Sequence, residues 1–88
     1  MLFDLPVRER ITEIEQEVAA SGKRIEEIEA MMADPAHYKD SRNVVVVNRE
    51  YMMLREKVAR LTTEWEGLTG EAERIDLEYR RKKDEPAG

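Results

Sequence analysis

Two apolar ladders constrain this chain more than any other feature in it. In the first, Val7, Ile11, Ile14, Val18, Ser21, Ile25, Ile28 and Met32 recur at alternating steps of four and three residues. In the second, Val44, Val47, Tyr51, Leu54, Val58, Leu61, Trp65, Leu68, Ala72, Ile75 and Tyr79 keep the alternation through eleven positions without a phase break. Steps averaging about 3.5 residues lay each ladder along one stripe of an α-helix and match the a and d positions of a heptad repeat. Ser21 alone is polar in the first ladder. The expected fold is therefore all-α: an antiparallel two-helix coiled-coil hairpin with a short helical turn in its connecting tip.

The punctuation between the ladders supports that layout. Periodicity stops at ADPAHYKDSRN, and the residue before Pro35 is pushed away from helical geometry. Helix one is expected over about residues 5–33, the tip over 34–43, helix two over about 41–81, and a frayed tail over 82–88, all in one domain. Asp34 followed by Pro35 suits the cap and first turn of a short helix through Lys39. Asp40 or Ser41 can cap helix two, and Asp4 ahead of Leu5-Pro6 can cap helix one. Laid antiparallel, the seams bring Ile25 near Tyr51, Val18 near Val58 and Ile11 near Trp65. The surplus length of helix two around Ala72, Ile75 and Tyr79 would then be covered by Leu2, Phe3 and Leu5. Gly67 and Gly70 leave two possibilities, one continuous helix or a break near Gly70 with a separate terminal helix.

Four consecutive valines, Val44 to Val47, are the one stretch with strand chemistry. A strand needs a hydrogen-bonding partner, and no other segment alternates with a period of two. In a helix the four cost roughly 2 kcal/mol in propensity. Burial of Val44 and Val47 on the seam returns about 1.5–3 kcal/mol each. Helix is favoured.

Catalysis finds no support in these residues. The chain has no cysteine and a single histidine, His37, which reads as an exposed tip residue. No glycine-rich phosphate loop occurs, so no nucleotide cofactor is expected on this chain. A run of four valines is far too short to span a bilayer, so no membrane partner is expected and a cytoplasmic chain is the default.

Charge is distributed unevenly. From Glu9 to Glu29 there are 3 basic and 7 acidic residues; from Asp34 to Arg49 there are 3 basic and 2 acidic. The less acidic tip carries Tyr38 and His37, whose rings can stack on bases. Tyr38, Lys39, Arg42 and Arg49 are thus candidate contacts to nucleic acid or a partner, against the plainer reading of a polar turn with Tyr38 packed inward. Arg80, Arg81, Lys82 and Lys83 form a second basic cluster, able to touch phosphate or to complement the negative end of the helix dipole. Val45, Val46, Met52 and Met53 occupy b and c positions beside the seam. They form either a floor onto which Pro35, Ala36 and Tyr38 fold or an apolar docking patch for a partner.

The stretch KRIEEIEAMMADPAHYKDS, followed some twenty residues later by EWEGL, resembles the C-terminal coiled-coil hairpin of ABC-F proteins, duplicated ATP-binding-cassette ATPases without membrane domains. Asp34-Pro35, Tyr38, Trp65-Glu66 and Leu68 carry the likeness, together with Leu5-Pro6 at its start. Gly67 and the extension after Gly70 depart from the usual short ending. The resemblance implies a non-catalytic arm of a larger cytoplasmic parent that binds ATP and Mg and hydrolyses ATP. Its implied partners are the cassettes of that parent and nucleic acid, either DNA or RNA on the ribosome (ribosomal RNA or tRNA), and as an isolated domain it would be a monomer. DPAHYKDS followed by NREYMML also resembles the N-terminal helical domain of peptide-chain release factors. A stand-alone structural coiled coil, its seams paired between chains, is the third reading.

Overall fold

In a computed structural model the chain is a rod of 76 × 16 × 15 Å, all-α and built as a hairpin. The structure describes residues 5–84. Helix α1 runs Leu5–Ala33, a 3₁₀ turn follows at Pro35–Lys39, and helix α2 runs Ser41–Asp84. No strand is present among the described residues, so the valines lie in α2. Val47 is buried and Val44 half-buried, on the seam as their heptad positions require.

Seam burial follows the ladders closely. Ile14 and Ile28 are fully enclosed, and Val47, Leu61 and Ser21 are nearly so. Two charged side chains lock the helices in register. Arg10 on α1 donates to Glu64 on α2 at 2.8 Å and 3.0 Å, and Arg24 donates to Glu50 at 2.7 Å. Each of these four residues immediately precedes an a position. A third pair, Arg8 with Asp76 at 3.1 Å, joins two residues that each follow a d position. Flanking pairs of these two kinds belong to an antiparallel seam in which every a faces a d of the other helix. They align Ile14 with Trp65, Ile25 with Leu54, and Ile28 with Tyr51. The register expected from the ladders alone, Ile25 near Tyr51, is therefore corrected by three residues, about 4.5 Å along the axis. The reason is steric: a opposite d interleaves side chains, whereas a opposite a sets them head to head.

At the tip the orphan backbone groups of both helices find partners. Asp34 Oδ1 accepts from the Ala36 amide at 3.0 Å and so caps the 3₁₀ turn. Asp40 Oδ1 accepts from the amides of Arg42 at 3.1 Å and Asn43 at 3.3 Å and caps α2. Tyr38 Oη donates to the carbonyl of Met32 at 2.8 Å, satisfying one of the free carbonyls at the end of α1.

The other end is built differently. α2 has 44 residues against 29 in α1 and passes through Gly67 and Gly70 without interruption, so the break near Gly70 does not occur. In the observed register α2 outruns α1 beyond about Ile75. Tyr79, still on the heptad pattern, is 53% exposed there. The expected cap Asp4 and the expected cover from Leu2 and Phe3 lie outside the described residues. Leu5, the remaining member of that cover, is itself half exposed.

Candidate functional site

The tip presents three of the expected contacts to solvent together. Lys39 ends the 3₁₀ turn, and Arg42 and Arg49 stand on the first three turns of α2; all three are exposed, with no ion pair among the described residues. Tyr38 is 59% exposed even though its hydroxyl is tied to Met32. The inward-packed Tyr38 of the plainer reading is thus half right: its hydroxyl is committed to the end of α1, while its ring faces water. The far cluster is separate. Arg80, Arg81 and Lys82 are exposed on the projecting end of α2, and the side chain of Lys83 lies outside what the structure describes. With the hairpin's length between them, the two basic groups do not form one site.

His37 departs from expectation. It is half-buried, its Nε2 is shielded from solvent without a hydrogen-bond partner, and its ring lies edge-on to Tyr38 at 5.2 Å. Three residues per turn in a 3₁₀ segment put it on the same side as Asp34 and Asp40, the two residues that close the helix ends. No group of His, Cys, Asp and Glu among the described residues is arranged to hold a metal ion. Nor is any described helix long and apolar enough to cross a membrane.

The apolar stripe also departs from the floor reading. Val45, Val46, Met52 and Met53 are 56%, 65%, 64% and 64% exposed. The tip does not fold over them because Tyr38 is drawn back to the carbonyl end of α1 and the two aspartate caps keep the turn short. What remains is an open ridge running down α2 from the tip. Lys57 and Arg60 join it, lining a shallow groove of about 430 Å³ with Val46, Arg49, Met53 and Leu54. Neither was singled out from the sequence, although their heptad positions, g and c, place them on this flank.

Electrostatics separate the two helices further. Glu50 and Glu64 are held below the usual carboxylate range by their hydrogen bonds to Arg24 and Arg10, and those arginines are driven further above their ordinary value by the same bonds. Each arginine also reaches the glutamate three residues ahead on α1, Glu13 or Glu27. The same triad therefore occurs twice, fourteen residues apart, and neutralises much of the α2 acid that faces α1. From residue 34 to 60 there are six basic and four acidic residues, against four basic and seven acidic on α1. Over this half the hairpin is electrically two-sided, with unpaired positive charge at the tip and on the outer flank of α2, apart from the separate cluster at Arg80, Arg81 and Lys82.

A family model described as the ABC transporter C-terminal domain matches residues 7–69. Compared with curated proteins and with solved structures, the chain has no match.

Proposed function

Because the chain belongs to the ABC transporter C-terminal domain family, we propose that it serves as the non-catalytic arm of an ABC-F-type ATP-binding protein and contacts nucleic acid through its tip. The observation that carries this reading is the segregation of charge. Lys39, Arg42 and Arg49 project unpaired beside the exposed Tyr38 ring, in a segment (residues 34–60) with six basic and four acidic residues against four and seven on α1. Phosphate binding needs such a local basic surface rather than a basic whole, and an exposed aromatic adds a face on which a base can stack. In this reading ATP and Mg belong to the cassettes of the cytoplasmic parent, and the hairpin supplies reach. Arg80, Arg81, Lys82 and Lys83 form a second contact to the phosphate backbone. The family match over residues 7–69 supports this reading over the likeness to release factors.

Titration of fluorescently labelled duplex DNA and hairpin RNA at low salt tests the proposal. Binding should weaken roughly tenfold when Lys39, Arg42 and Arg49 are changed together to alanine, with the salt slope falling by about one unit per lost phosphate contact. On a single-stranded oligonucleotide added to the same titrations, Tyr38→Ala should cost about 1–3 kcal/mol if the ring stacks on a base. An affinity that is undetectable, or indifferent to these changes, would sink the reading. The stronger of the two titrations identifies the nucleic acid.

A further inference from the structure

The second stripe of α2 begins as a sequence peculiarity. Positions b and c hold Val45-Val46 and then Met52-Met53, whereas in the next three heptads they hold Ala59-Arg60, Glu66-Gly67 and Glu73-Arg74. Large apolar residues thus occupy b and c only in the two heptads nearest the tip. All four side chains are more than half exposed, and the grooves on either side of them are lined by residues of α2 alone.

The surroundings of this ridge are asymmetric. On the flank toward Lys57 lies the groove that Val46, Met53 and Leu54 line with Arg49, Lys57 and Arg60. Its one carboxylate, Glu50, is tied to Arg24 by a bond of 2.7 Å and so contributes little free negative charge. On the opposite flank a second shallow groove is lined by Val45, Asn48, Met52 and Glu56 and shares Arg49 and Met53 with the first. One edge of the ridge is therefore positive, and the other neutral to negative.

We propose that the ridge docks an amphipathic α-helix of a partner protein, with its apolar face on Val46 and Met53 and a row of carboxylates along the edge that faces Lys57 and Arg60. From Val45 to Met53 the ridge is about 12 Å long, enough for anchors at i, i+3 or i+4, and i+7 of one helix. Unbranched methionine adapts to such a neighbour, and arginine pairs with carboxylates in a two-pronged geometry. Complementary charge along a single edge fixes the direction and side of approach. Nucleic acid fits this face poorly, since the four apolar side chains include no aromatic on which a base could stack. A second copy of the chain fits poorly too: the outer face of α1 supplies the glutamates, but Ala19 and Ala20 in place of large anchors.

Two synthetic helical peptides about three heptads long, with leucine at a and d and either glutamate or lysine along one edge, test this directly against the whole chain. The glutamate-edged peptide should bind, and the lysine-edged one at least about tenfold more weakly. Val46→Glu combined with Met53→Glu should abolish binding while leaving helical content unchanged, because both positions are exposed. Lys57→Glu with Arg60→Glu should reverse the preference between the peptides. Equal binding of both peptides, or binding indifferent to the ridge substitutions, would overturn the proposal. So would sedimentation showing that the ridge substitutions dissolve a dimer of this chain, or a titration in which the ridge rather than the tip governs RNA or DNA affinity.

Discussion

The two ends of the rod share one heptad pattern and reach opposite outcomes. Near the tip the seam is held shut: Ile28 and Val47 are buried and Val44 half-buried, the turn is capped by Asp34 and Asp40, and Tyr38 ties off α1. Toward the base the pattern persists through Leu68, Ile75 and Tyr79, yet burial fades as α2 outruns its partner. The outer faces differ in the reverse sense. α2 carries an exposed apolar and basic ridge beside the tip, and two glycines with open space around them further down. Periodicity says which side of a helix seeks a partner. It does not say whether the partner extends that far.

The largest expected effect separates a closed layer from an open one. Ile14→Ala or Ile28→Ala should cost about 2–5 kcal/mol, since each removes a fully enclosed side chain and leaves a cavity. Tyr79→Ala, on the same pattern but reached by water, should cost no more than about 0.5 kcal/mol. Denaturant unfolding of the three variants measures the contrast, and equal losses would refute it.

A smaller effect should come from the base half of α2. An added Cβ at Gly67 or Gly70 meets nothing within 4 Å. Each glycine-to-alanine change should therefore stabilise the hairpin by about 0.5–1 kcal/mol through helix propensity. A gain in thermal midpoint from both changes together is the expected result. A loss would mean that the base needs to bend at this point.

The smallest effect compares the two arginine triads. Glu50 and Glu64 titrate lower in the folded chain than in the unfolded one because an arginine holds their charged form. Their contribution is therefore present at neutral pH and is lost as the pH falls through the lowered folded values. Acid titration of stability should show this loss, and Arg10→Ala with Arg24→Ala should flatten it. Molar salt should do likewise, because the pairs are solvent-exposed and readily screened. A pH profile untouched by the double change would remove the triads from any account of stability.

Much of this was legible beforehand because the decisive signals are local or periodic. The ladders identify the buried stripe, and Pro35 with its flanking aspartates marks the reversal. The seam positions of Val44 and Val47 outweigh valine's preference for strands. What escaped the reading depends on groups brought together from afar. The three-residue shift in register is fixed by Arg10 with Glu64 and Arg24 with Glu50, residues 54 and 26 apart in the chain. His37 was expected in water because it sits in a polar turn, but the 3₁₀ geometry turns it inward. Likewise the basic flank of the ridge needs Lys57 and Arg60, which stand outside the tip segment altogether.

The amino-acid sequence by itself determined that the chain makes two amphipathic helices joined by a capped turn, since helix periodicity, proline and capping chemistry act over a few residues each. Only the tertiary structure decided how those helices slide past one another and which apolar side chains are left uncovered. Both depend on the lengths of two distant segments and on charges that meet only once they lie side by side.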